Sequence, residues 1–177
     1  MSAYCLIAPG HPYHGPYHDH EYGFPIRDDD ALLERLALEI NQAGLSWLTI
    51  LKKKEAFRAA FDRFDLDRVA AYRDAKRERL LADPSIIRNR LKIAAVIENA
   101  RRIKRIRREH GSFANWLDAH HPRASDEWVK LFRKTFLFTG GEITREFLVS
   151  TGYLPGAHAE SCPVYRRVAR ARPPWAR

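Results

Sequence analysis

The sequence predicts an all-α chain built around a two-helix corner, with a second helix–turn–helix unit in its C-terminal third. Three observations predict it. Apolar residues recur at spacings of three and four through most of the chain. Ser and Asp stand where helices would start, and Gly where they would stop. No stretch alternates apolar and polar residues over the length of a strand.

Residues 1–27 are rich in Pro, Gly, His and Tyr and show little periodicity, so they read as an ordered loop. Asp28, Asp29 and Asp30 then offer cap acceptors to a helix with Leu32, Leu33, Leu36 and Ile40 at helical spacing. Gly44 breaks that helix, and Ser46 can cap the next, which carries Trp47, Ile50, Leu51 and Phe57. Glu39 lies about a turn before the corner. A carboxylate inside an apolar helix, close to a large ring, is either a surface acid beside a core Trp or one wall of a pocket for a flat ligand.

Residues 57–83 read as loosely amphipathic helix, with Asp65 and Asp67 as candidate caps; Asp83-Pro84 marks a turn. A long helix follows from about Asn89 to Glu109, its stripe formed by Ile93, Val96, Ile97, Ala100, Ile103 and Ile106. It ends in the cationic run Arg101–Arg108, which suits the negative end of a helix dipole and reads as a solvated face or a phosphate contact. Gly111 stops it, and Ser112 can cap a helix with Phe113, Trp116 and Leu117. Ser125-Asp126-Glu127 opens another helix, and Thr139-Gly140-Gly141 sits in a turn before a last one. The tail, Tyr165–Arg177, is arginine-rich with a Pro-Pro break, and fraying is expected there.

One domain over residues 1–177 suits the length. No run approaches the roughly 18 apolar residues of a membrane span, and no secretory leader pattern is present, so a cytoplasmic location without membrane contact is expected. The net charge of +9 favours polyanionic partners such as nucleic acid. Two cysteines, Cys5 and Cys162, stand at opposite ends, and a disulfide between them is not expected in a reducing cytosol. His158 and Cys162 are four apart, one face of a helical turn. With Cys5 and His18 they make a Cys2His2 set, suited to tetrahedral zinc, although the spacing is unlike that of compact fingers.

Two blocks carry a family resemblance: Tyr17-His18-Asp19-His20-Glu21-Tyr22-Gly23, and Glu39 with Gln42-Ala43-Gly44-Leu45-Ser46-Trp47 and the following Thr49–Lys54. In this order they resemble DNA-3-methyladenine glycosylase I, the Tag family. The resemblance spans nearly the whole chain and is weaker from about 112 to 150. It implies the helix-hairpin-helix glycosylase fold, with the hairpin at about 126–152 and the N-terminal loop tied to residues 155–177 by one structural zinc on Cys5, His18, His158 and Cys162.

The resemblance also implies an activity: hydrolysis of the N-glycosidic bond of alkylated purines, chiefly 3-methyladenine, in double-stranded DNA, by a monofunctional, monomeric enzyme. The extruded base would stack on Trp47, with Tyr17 and Tyr22 as further rings, and Glu39 would accept its hydrogen bonds. Thr139, Gly140 and Gly141 would approach a DNA phosphate. The chain departs from the family at Ile7 and His14, where aromatic residues are usual, at Tyr22, often Trp, and at Gly140-Gly141-Glu142, usually Gly-Pro-Thr. Those departures favour one alternative, a relative that binds damaged DNA without cutting it. The His-rich loop favours another, a metal-dependent hydrolase, which chelation would inactivate without unfolding.

Overall fold

Helices account for all regular structure in the computed structural model of the chain, which describes residues 4–177. The N-terminal segment departs from the loop expected of it. It forms two short helices, α1 (Tyr4–Ile7) and α2 (His14–His20), and α2 buries Gly15, Tyr17 and His18. Its buried face is built of a ring, an imidazole and a glycine, so it has no aliphatic periodicity to betray it.

α3 (Asp29–Gln42) is the central element. Asp28 caps it by accepting from the Ala31 N–H at 2.8 Å. Leu32, Leu33, Leu36 and Ile40 are buried on it, each contributing about 1.5–3 kcal/mol. α3 packs against α4 (Trp47–Ala60), α7 (Arg90–His110), α8 (Phe113–His120) and α10 (Gly141–Ser150).

The corner forms as expected. Gly44 takes φ +80°, and the Ser46 hydroxyl accepts from the Thr49 N–H at 3.1 Å. A tie from outside fixes it: buried Lys92 of α7 donates to the carbonyls of Asn41 and Ala43 at 2.9 and 2.5 Å. An ammonium here sits on the negative end of the α3 dipole.

Between α4 and α7 the chain forms a 3-10 turn (Asp62–Phe64), α5 (Leu66–Ala70) and α6 (Asp74–Ala82). Asp62, Arg63 and Phe64 all take positive φ, a left-handed turn held by the Tyr72 hydroxyl on Asp62 and by the burial of Phe64. Asn89 caps α7, Gly111 ends it at φ +83°, and Ser112 caps α8. α9 (Ser125–Thr135) and α10 then pack together across the Phe136–Gly140 turn. Fully buried Asn99 clamps that turn, accepting from the Leu137 N–H at 2.7 Å and donating to the Leu137 carbonyl at 2.9 Å.

Two expectations for the C-terminal end need correction. His158 and Cys162 do not share a helix; a turn closed by the Cys162 N–H on the Ala159 carbonyl brings them together, and Cys162 precedes α11 (Pro163–Arg170). Nor is the tail frayed. Val164 and Val168 are buried, Pro173 and Pro174 pack inward, and the Trp175 N–H donates to the Gly152 carbonyl at 3.1 Å. The valines stand four apart among arginines that face solvent, so an apolar stripe of two residues was hidden in a cationic sequence.

Candidate active site and candidate metal centre

α3 delivers Glu39 into a cavity of about 290 Å3, at the lower end of small-ligand sites. Its walls are Tyr4, Tyr17, Tyr22 and Trp47, with Gln42, Glu142 and Glu146 completing the lining. Tyr17 meets Trp47 edge-on at 5.1 Å between centroids, Tyr22 lies 5.6 Å from Tyr17, and Tyr4 meets Tyr22 edge-on at 5.3 Å. The corner explains how Glu39 and Trp47 converge: the carboxylate leaves the last turn of α3, and the indole enters on the first turn of α4.

Glu39 is 3% exposed and makes no ion pair or hydrogen bond among the described residues. The nearest cation one turn away, Arg35, is committed elsewhere. It donates to the Tyr17 hydroxyl at 3.0 Å, the Ser150 carbonyl at 3.3 Å and Glu21 at 3.2 Å, and Lys54 also holds Glu21. Burial therefore dominates the Glu39 carboxyl and pushes its pKa up to about 8, with Arg35 opposing and Glu146 reinforcing the rise. Burial likewise pushes the Tyr17 and Tyr22 phenols well above their ordinary value, so both are neutral O–H groups. The Tyr22 hydroxyl donates to Glu146 at 3.3 Å.

Sequence reasoning found Glu39, Tyr17, Tyr22 and Trp47, and the structure brings all four together. It missed Tyr4, whose hydroxyl is hydrogen-bonded to His14 Nδ1 at 3.0 Å. Ile7, the departure noted above, points away and is 62% exposed. Glu142 and Glu146 were missed as cavity residues because α10 lies a hundred residues from Glu39, and nothing local signals the approach.

The second constellation adjoins the first. Ligand atoms of Cys5, His18, His158 and Cys162 all lie within 4.8 Å of one another. Cys162 Sγ is 3.7 Å from His18 Nε2 and 3.8 Å from His158 Nδ1, and Cys5 Sγ is 3.8 Å from His158 Nδ1. The far nitrogens are fixed. His18 Nδ1 faces the Asp19 carboxylate at 2.7 Å, and His158 Nε2 faces the Tyr22 carbonyl at 2.8 Å. Both oxygens can only accept, so the inner nitrogens present lone pairs to the centre of the cluster. Four such donors fit a metal ion. Gly23, at φ +83°, lets the two chain ends close over the cluster, since a Cβ there would lie 2.6 Å from that of Ala157.

At the α9–α10 turn, the Thr139 side chain is turned inward. It is 4% exposed, and its hydroxyl donates to the carbonyls of Phe132 and Phe136 at 3.0 and 3.3 Å. Gly140 and Gly141 have open space where a Cβ would stand, and α10 begins without a side-chain cap. The cationic run on α7 is largely occupied within the fold. Arg101 donates to the Ala70 and Tyr72 carbonyls, Arg102 to that of Thr135, and Lys104 and Arg107 pair with Asp67.

The all-α scaffold holds a buried carboxylate, without a partner among the described residues, amid aromatic rings that meet edge-on or tilted. The model of the methyladenine glycosylase family matches residues 8–130. The chain is 37% identical to DNA-3-methyladenine glycosylase 1 of Escherichia coli (strain K12), covering 87% of this chain and 92% of that protein. It is 31% identical to DNA-3-methyladenine glycosylase of Haemophilus influenzae, over 83% and 89% of the two chains. The structure of 3-methyladenine DNA glycosylase I from Staphylococcus aureus superposes with a TM-score of 0.82 at 33% identity, covering 92% of this chain and 96% of that one. A related structure, with TM-score 0.82 and 32% identity, contains 3-methyladenine. The chain belongs to the methyladenine glycosylase family, as its two motif blocks implied.

Proposed function

We propose that the chain is a DNA glycosylase that hydrolyses the N-glycosidic bond of alkylated purines, chiefly 3-methyladenine, in duplex DNA. The observation that carries this reading is Glu39, a buried acid with no partner among the described residues, facing a cavity walled by rings. An extruded base stacks against Trp47 with Tyr17 and Tyr22 around it. Glu39 accepts hydrogen bonds from the base edge, and entry of a cation favours its ionised form. Water adds at C1′ and gives up a proton to solvent, and the purine departs from C1′ with the bond's electron pair. A base that is cationic in the nucleoside departs neutral and needs no strong acid, which suits a site whose acid binds charge. Among the described residues the lining offers carboxylates and phenols but no amine, which favours a monofunctional reaction leaving an abasic site.

The α9–α10 unit acts as a DNA-docking hairpin, with the uncapped N–H groups of Gly140 and Gly141 turned to a phosphate and Thr139 bracing the turn from inside. Leu45, 39% exposed on the corner between Glu39 and Trp47, is placed to fill the gap that the base leaves. The Cys5, His18, His158 and Cys162 set holds one zinc ion. Four protein donors leave no position for a water, so the ion ties the chain ends together and takes no part in hydrolysis. The chain acts as a single-domain monomer on cytoplasmic DNA. Incubation with alkylated genomic DNA and chromatography of the released bases tests the reading. Wild type should release 3-methyladenine and Glu39→Gln should release far less; lesion binding with no release would leave a binding protein only.

A further inference from the structure

Glu39 is one of three acids at the cavity. Glu142 and Glu146 reach it from α10, four residues apart and so on one helix face. None of the three forms an ion pair with any described residue. The chain carries nine more cations than acids, so these carboxylates are not short of partners by composition. Acids one turn apart repel each other, and Glu142 also stands where a phosphate would approach the start of α10. A cation in the cavity relieves both repulsions. The Tyr22 hydroxyl donates to Glu146 at 3.3 Å, which places that carboxyl at the cavity wall.

We propose that Glu146, assisted by Glu142, is a specificity-determining residue that makes this pocket choose a cationic purine over its neutral isostere. The proposal rests on the glycosylase reading and deepens it. Adenine and its 3-methyl derivative differ by one methyl group, and an added methylene is discriminated only roughly 10–200-fold. Charge is the larger difference, and it is read best where water is excluded and several like charges face the ligand. Glu39 alone would serve both contact and charge. Glu146 supplies charge without occupying the base edge, and that separation can be measured.

The test titrates the full chain with 3,9-dimethyladeninium, a permanent cation, and with neutral 9-methyladenine, reading tryptophan fluorescence. Glu146→Gln should weaken the cation on the order of tenfold and leave the neutral probe within about twofold. Glu142→Gln, being exposed, should do the same about twofold to threefold. Tyr22→Phe, which removes the hydroxyl but no charge, should keep most of the wild-type preference. Equal weakening of both probes by E146Q, or a Tyr22→Phe variant that reproduces E146Q, overturns the inference. Base release from alkylated duplex separates the two readings. A wild-type chain that releases 3-methyladenine but shares its cation preference with E146Q overturns this inference alone. A chain that prefers the cation through Glu146 yet releases nothing overturns the glycosylase reading and supports this one.

Discussion

The cavity and the four-donor cluster sit on two sides of the same residue. The Tyr22 side chain faces Glu146 and the cavity, and its carbonyl orients His158. Yet the two regions treat their polar groups in opposite ways. In the cluster both imidazoles have their outer nitrogens fixed by an oxygen, so the inner lone pairs already face the centre. In the cavity the central carboxylate has no partner among the described residues, and the guanidinium one turn away is held by Tyr17, Ser150 and Glu21. The first arrangement commits its polar groups to partners within the fold. The second costs stability and keeps a binding group available.

The comparison is easiest to break at the cluster. Cys162→Ser, or chelation of the wild-type chain, should lower Tm by more than about 10 °C, because a site joining both chain ends contributes several kcal/mol. Base release per folded molecule at low temperature should persist. Loss of activity with an unchanged melt would put the metal in the chemistry.

Glu39→Gln should act in the opposite sense. Single-turnover release of 3-methyladenine should fall about a hundredfold, while folding stability rises. The sign follows from the raised pKa. A carboxyl whose pKa rises from 4.5 to about 8 on folding binds its proton more tightly in the folded state. Wild-type stability therefore falls as pH increases through that window, by up to about 1.4 kcal/mol per pH unit, and levels off above it. Denaturant melts between pH 5 and 9 should show this slope in wild type and a flatter curve in E39Q. In the same window kcat/KM for wild type should climb towards pH 8 as Glu39 ionises.

Smaller effects sharpen the contrast. Trp47→Leu removes the stacking wall and should weaken free 3-methyladenine about tenfold. Gly141→Val should weaken duplex binding a few-fold by filling the open space at the start of α10, and leave free-base affinity unchanged. If both affinities moved together, the hairpin would be part of the pocket and not a separate dock.

Much of this was legible in the sequence wherever a local rule decided the outcome. Asp28, Ser46, Asn89 and Ser112 cap the helices that follow them, and Gly44 and Gly111 take the positive φ that ends the preceding ones. Glu39 and Trp47 were legible because one corner joins them. What failed was decided at long range. Tyr4 enters the cavity from a helix of four residues, too short for any period to show. Glu142 and Glu146 reach it through the packing of α10 on α3. For Thr139, expected beside a phosphate, the inward turn of the hydroxyl is a local detail that no residue pattern signals.

Burial of Glu39, with Arg35 committed to Tyr17, Ser150 and Glu21, favours its protonated form near pH 7, and a charged base bound there would displace that hydrogen ion. Near pH 7, capture of the cation then liberates up to one proton to the medium. Calorimetry of 3,9-dimethyladeninium binding would register this as a heat that varies with the ionisation enthalpy of the chosen buffer, and with Glu39→Gln that variation would vanish.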